Sequence, residues 1–424
     1  MANDASRADG NYGNDGNDGN NWYRRLFGSK RTNVLAPMVD QSELAFRILC
    51  LRHGADLCYS PMISSRQFAD SASYRESIFG PLDGIGEDRP LVVQFAGNDP
   101  QVLLEAAKHV QHRCDAVDIN FGCPQKIARR GHYGAWLSDE PQLQQQLVGT
   151  LHCHLECPVT VKIRVQEAGR SATVDYARML QSAGASVIAV HGRTREQRGA
   201  VQGGPSWADI AAVKAAVSVP VIANGGIFAT EDVSRCFEAT GADGVMAGES
   251  LLENPALFDG GRVGERQPAL AREYLALQQT HPSPLAGVKQ HLFNLLYAHV
   301  QVHIDLRQQL HRARTLDEMS AVVDECERRR AAAADDGAPP EVRTSAARSP
   351  FDCAPGAGYT SWYRRHHWEE LRHAEKQAAK ALAAKALAAE AHASAPAQDV
   401  PEGAADIRAA PARVPAPACE ANVT

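Results

Sequence analysis

Residues 159–191 read VTVKIRVQEAGRSATVDYARMLQSAGASVIAVH. A β-branched run, VTVKIRV, gives way to the amphipathic stretch TVDYARMLQSAG, and a second β-branched run, SVIAVH, follows. This strand–helix–strand order predicts two parallel strands joined by a right-handed crossover. The same unit recurs on both sides. Toward the N-terminus lie NVLAPM (33–38), DLCYS (56–60), LVVQFA (91–96) and AVDIN (116–120); toward the C-terminus lie PVIAN (220–224) and GVMAG (244–248). Helix-like segments such as DPQVLLEAAKHVQ (99–111) and SWADIAAVKAAV (206–217) separate them. Eight candidate strands, each followed by a helix, predict an α/β fold: a (β/α)8 TIM barrel over residues 31–262. The competing doubly wound open sheet carries a Gly-rich fingerprint after its first strand, and none stands there.

Outside the barrel the pattern changes. Residues 1–30 are rich in Gly, Asn and Asp and predict a disordered tail. Residues 263–332 have apolar positions at three- and four-residue spacing, as in LAGVKQHLFNLLYAHVQVHIDLRQQL (285–310), and predict a smaller all-helical domain. Residues 333–360 have linker composition, 361–391 form a charged helix pattern, and 392–424 form a second disordered, Pro/Ala-rich tail. A length of 424 residues with 44% hydrophobic content can bury one large core and a smaller one. The N-terminus has neither the apolar centre of a secretory signal nor the Arg-rich pattern of a transit peptide. No apolar run reaches the roughly 18 residues of a membrane helix. Ten cysteines without regular spacing point to reduced thiols and a cytoplasmic or nuclear location. A net charge of −6 argues against a chain basic throughout, but permits a local basic face.

In a TIM barrel the chemistry sits at the C-terminal strand ends, and the loops after strands seven and eight commonly hold a phosphate. Here those loops begin Asn224-Gly225-Gly226 and Gly248-Glu249, and glycine lets backbone N–H groups approach a ligand. Within VTVKIRV, Lys162 and Arg164 share one side of the two-residue alternation, and an inward lysine demands an anionic or hydrogen-bonding partner. His191 ends the sixth candidate strand, Gln94 lies in the third, and Pro37, Met38 and Val39 stand at the end of the first. Together these groups suit a ligand with a phosphate at one end and a planar, hydrogen-bonding ring at the other. Flavin mononucleotide (FMN) fits, with Lys162 near the edge of the ring where negative charge builds on reduction. The segment HCHLEC (152–157) lacks a second half-site, so no metal is expected.

The motifs APMVDQSELAFR, DINFGCPQ, VTVKIRV, HGRTREQ, PVIANGGI and NPALF, in that order, resemble the tRNA-dihydrouridine synthase family, and CPQKIARRGHYGA is most similar to its eukaryotic branch acting on positions 16 and 17 of the tRNA D-loop. The resemblance spans residues 33 to 310. It implies FMN as cofactor, NADPH as reductant, tRNA as substrate, and a helical domain that helps hold tRNA. Carried over by motif, the flavin contacts are Pro37, Met38, Val39, Gln94, Lys162, His191, Asn224, Gly225, Gly226, Gly248 and Glu249. Many members have Gly-Arg where this chain has Gly248-Glu249. The resemblance further implies that Asn120 lies near the uracil and that Cys123 is the proton donor. A thiol with an ordinary pKa near 8.5 stays largely protonated at neutral pH, as a proton donor must.

Lys126, Arg129, Arg130, His132, Arg193, Arg195 and Arg198 all follow candidate strand ends and predict a phosphate-binding rim. The cations near Cys123 favour a thiolate, and RNA phosphates would neutralise them when substrate is bound. YRRHHWEELRH (363–373) is a second candidate RNA contact. No membrane and no protein partner are expected. Three alternatives stay open: a different flavin barrel acting on a free pyrimidine, a catalytically dead RNA-binding relative, and a sugar-phosphate isomerase. Within the favoured reading, another D-loop uridine remains an alternative target.

Overall fold

Nine parallel strands carry the architecture: β1 (Thr32–Leu35), β2 (Leu57–Tyr59), β3 (Ile63–Ser64), β4 (Leu91–Ala96), β5 (Ala116–Asn120), β6 (Val159–Arg164), β7 (Val187–His191), β8 (Val221–Asn224) and β9 (Gly244–Ala247). Pairing runs β2-β1-β9-β8-β7-β6-β5-β4, and a further β2–β4 pairing closes the ring. The eight expected strands therefore form a (β/α)8 barrel. β3, a two-residue strand that pairs with β4 at its rim, is an addition too short to show any periodicity. The computed structural model describes residues 26–28, 31–79, 86–197, 203–261 and 266–335. Arg198, the charged helix pattern at 361–391, the Pro/Ala-rich tail and nearly all of the linker fall outside them.

Alternation along each strand sorts the core into two layers. In β6, Val159, Val161 and Ile163 pack outward against the helices, which leaves Thr160, Lys162 and Arg164 inward. In β5, Val117 and Ile119 face outward, leaving Ala116, Asp118 and Asn120 inward. The lower barrel interior is apolar, filled by Val34, Leu57, Tyr59, Val92, Ala116, Val187, Ala189, Ile222 and Met246. Polar residues begin one layer higher, where the register sets Gln94 beside Asp118 and Asp118 beside Thr160.

Phe27 corrects the expectation of a disordered tail at residues 26–28 alone, since 1–25 and 29–30 lie outside the described residues. Residues 26–28 form a helical turn, and Phe27 is 8% exposed in the lower barrel cluster, its ring close to Gly244. One large aromatic can bury enough surface to order its immediate neighbours even where the flanking composition is polar.

The chain after the barrel is helical: Gln267–Thr280, Leu285–Leu295, Tyr297–Val302, Ile304–Arg312 and Leu316–Asp335. The last helix runs on to Asp335 instead of stopping at 332. Helix Gln267–Thr280 packs on the first barrel helix, Leu44–Arg52. There Tyr274 Oη donates to Glu43 Oε1 at 2.7 Å, His291 Nε2 lies 2.9 Å from Glu43 Oε2, and His291 stacks on Phe46 with centroids 4.5 Å apart.

Candidate active site

Two neighbouring strand ends create the first half of the site. Asn224 closes β8 and donates Nδ2–H to the Met246 carbonyl of β9 at 3.0 Å, so the loops after both strands leave side by side. Its Oδ1 accepts from Lys162 Nζ at 2.9 Å, which satisfies the inward lysine. Gly225 and Gly226 follow with φ of +103° and +78°, a region side chains rarely adopt. A Cβ at Gly225 would also meet the His191 ring, 2.8 Å from Cδ2 and 3.0 Å from Nε2. Gly248 has an ordinary negative φ, and the constraint there is steric: a Cβ would lie 3.3 Å from Ala36 and 3.4 Å from Met38 Sδ. Glu249 is exposed, as is Val39, whereas Pro37 and Met38 are partly buried.

Electrostatics follow from burial. Burial, then the charge of Arg164, pushes the Lys162 ammonium from 10.5 down to about 8, against Asp118 and Cys123. Burial, then Lys162, Arg164 and Arg193, drives the His191 imidazole well below its ordinary value, so it is neutral at pH 7. Its buried Nε2 has no hydrogen-bond partner among the described residues. A neutral imidazole whose buried nitrogen lacks a partner is poised to bond a ligand.

The second half is the loop after β5. Gln94 is fully buried; its Oε1 accepts from Asn120 Nδ2 at 2.8 Å. Asn120 Oδ1 accepts the backbone N–H groups of Gly122 at 3.0 Å and Cys123 at 2.8 Å. Cys123 is partly exposed, and its carbonyl accepts from Ala135 N at 3.1 Å. Gly134, at φ +68°, lets that segment pack onto Cys123; a Cβ there would lie 2.8 Å from the Cys123 oxygen. Arg164 reaches up from β6 and donates to the Gly122 carbonyl at 2.8 Å and the Thr194 carbonyl at 2.7 Å, joining two loops. Thus Gln94, Asn120, Lys162, His191 and Asn224 come together on the barrel's inner face, with the Cys123 loop at its rim.

The basic residues divide into two groups. Lys126 and Arg130, on helix Lys126–Gly131, are exposed and make no ion pair among the described residues. The others are anchored. Arg129 and Arg195 both lie over the Trp136 ring, 5.0 and 4.8 Å from its centroid, and Arg195 also pairs with Asp139. Arg193 donates to the Gly203 carbonyl, and His132 Nε2 lies 2.7 Å from Glu140. Trp136, Asp118 and Thr160 were not among the expected residues. Asp118 had a legible signal: a carboxylate on the inward face of β5, two residues before Asn120. Trp136 had none, because the arginines that meet it come from different segments.

Comparison with known proteins identifies the family. The family model for dihydrouridine synthases (Dus) matches residues 34–336. The mouse tRNA-dihydrouridine(16/17) synthase [NAD(P)(+)]-like protein is 50% identical over 306 residues, covering 71% of this chain and 62% of the mouse protein. The chain therefore spans less than two thirds of that relative's length. The Saccharomyces cerevisiae tRNA-dihydrouridine(16/17) synthase [NAD(P)(+)] is 44% identical over 301 residues, 68% of this chain and 71% of the yeast protein. A human tRNA-dihydrouridine(20a/20b) synthase [NAD(P)+]-like protein is 41% identical over 230 residues, 54% of this chain and 70% of its own. The family match over most of the chain, on a closed parallel barrel with this strand-end constellation, makes the protein a member of the dihydrouridine synthase family.

Proposed function

We propose that this chain is a flavin-dependent tRNA-dihydrouridine synthase that reduces the C5=C6 bond of uridine in the tRNA D-loop, at positions 16 and 17. The observation that carries the reading is the meeting, at one barrel mouth, of a half-buried ammonium, a neutral histidine whose buried nitrogen has no partner among the described residues and a loop bearing a thiol. The higher identity to the 16/17 relatives than to the 20a/20b relative supports the choice of position.

The residues present fit FMN. Lys162 would offer a cation at the ring edge, His191 Nε2 and the Gln94 amide would offer hydrogen bonds, Met38 a soft apolar surface, and the Gly225–Gly226 backbone room for a phosphate. Held by these residues, FMN would supply hydride chemistry at uracil C6, with NADPH as the reductant. The chain's own part is to hold the uracil and deliver a proton. Cys123 gives its thiol proton to C5 as C6 receives the hydride, so two electrons and two hydrogens are added and the thiolate is reprotonated from solvent. Asn120, which already orders the Cys123 loop, stands between that loop and the barrel floor. The target base must leave its stack to enter such a mouth. Lys126 and Arg130 are free to meet tRNA phosphates, while Arg129 and Arg195 are held in place on Trp136.

The direct test is Cys123→Ala. Flavin binding and NADPH oxidation should persist, and dihydrouridine formation should fall by about 100-fold or more. Wild-type dihydrouridine formation by that variant would end the reading of Cys123.

A further inference from the structure

Below the mouth lies a buried carboxylate to which the proposed reaction assigns no task. Asp118 is fully buried in β5. Its Oδ1 accepts from Thr160 Oγ1 at 2.7 Å and its Oδ2 from Gln94 Nε2 at 2.8 Å. From there the hydrogen bonds run in one direction: Asn120 Nδ2 to Gln94 Oε1 at 2.8 Å, then the N–H groups of Gly122 and Cys123 to Asn120 Oδ1 at 3.0 and 2.8 Å. A carboxamide has one accepting and one donating end, so each amide takes its orientation from its neighbour. The carboxylate accepts, so Gln94 must turn its NH2 toward it and its oxygen toward Asn120. Asn120 must then turn its NH2 to Gln94 and its oxygen to the loop. Reversing either amide would set NH2 against N–H.

We propose that Asp118 is a positioning residue for the Cys123 loop: its acceptor oxygen fixes the sense of the Gln94 and Asn120 amides and so pins the backbone that carries the thiol. The inference rests on the reading of Cys123 as proton donor. An apolar side chain would fill this space without the desolvation cost of a buried carboxylate, so a structural filler has no need of an acid here. Burial pushes the Asp118 carboxyl up to about 7, against hydrogen bonds from Thr160 and Gln94 and the charge of Lys162. A proton on Oδ1 would be donated to the Thr160 hydroxyl, which accepts as well as donates, and Oδ2 would still accept from Gln94. The polarity of the series is thereby independent of that proton.

Two variants of the full-length flavoprotein separate acceptor from charge. Asp118→Leu removes the acceptor at similar volume. Asp118→Asn keeps an oxygen for Gln94 and turns its NH2 to Thr160. Amide hydrogen exchange resolved at Gly122 and Cys123 should quicken about tenfold in Asp118→Leu and stay near wild type in Asp118→Asn, as expected for loss of one restraining hydrogen bond. Dihydrouridine formation at saturating tRNA should follow the same order. Wild-type exchange in Asp118→Leu overturns the proposal, and so does equal loss in both variants, since charge rather than polarity would then matter. Should Asp118→Leu not fold, Gln94→Met cuts the series one link later and must quicken the same two amides; unchanged exchange there overturns the proposal. Cys123→Ala, assayed in parallel, reports separately on the proton-donor reading, because the exchange measurement does not depend on it.

Discussion

Gly225 is held to its identity twice over. Its φ of +103° strains any side chain, and a Cβ would press on the His191 ring. Gly225→Ala should therefore cost about 1–3 kcal/mol in denaturant unfolding, and it should also weaken the proposed binding of FMN by displacing His191. Gly248→Ala meets only contacts of 3.3 Å and longer, so its cost should be smaller. Lys162 makes a residue-scale prediction in pH. Its folded pKa, about 8, lies below its ordinary 10.5, so between those values the unfolded chain holds more protons than the folded one. Stability should then rise with pH across that window relative to Lys162→Met, measured by denaturant unfolding of both proteins at pH 8 and pH 10.5.

At the scale of elements, the loops after β5 and β7 act as a pair because Arg164 bonds carbonyls in both. A charged donor to a partly buried carbonyl contributes about 1.5–3 kcal/mol, so Arg164→Met should lower stability by about that amount and speed proteolysis within 193–197. Helix Lys126–Gly131 and the Trp136 segment carry the proposed tRNA contacts. Lys126→Ala and Arg130→Ala should each reduce the slope of log affinity for tRNA against log salt by about one. Trp136→Ala keeps every charge, so it should weaken binding through misplaced arginines and leave that slope unchanged.

For the whole molecule, the junction between barrel and terminal helices centres on Glu43. Burial works to raise its carboxyl, but His291 beside it and hydrogen bonds from His291 and Tyr274 outweigh this, and the group ends below its ordinary 4.5. A depressed carboxyl stabilises the fold above its ordinary value and loses that contribution as pH falls through the folded value. Wild-type stability should thus drop on acidification below pH 4.5 more steeply than that of Glu43→Gln. Glu43→Ala strands the buried Tyr274 hydroxyl and His291 ring and should cost about 3 kcal/mol, read by chemical denaturation. The same residue precedes helix Leu44–Arg52 and follows the Met38 turn, so barrel mouth and appended helices share one anchor.

Strand identity, barrel closure and the rim position of Cys123 were legible in the sequence, because two-residue alternation and strand-helix repetition are local properties. The eight runs and the inward side of Lys162 follow from them directly. Phe27 was not legible, since its composition is that of a polar tail and only the barrel floor explains its burial. Nor was the Arg129–Trp136–Arg195 cluster, whose members come from separate segments, or the Glu43–Tyr274–His291 junction, which joins residues far apart in the chain. Asp118 stands between these cases: alternation turned it inward, but its partners Gln94 and Thr160 are set by the register of neighbouring strands. Periodicity within a segment fixes which way a side chain points. What it meets there depends on pairing between segments, and that only the tertiary structure decides.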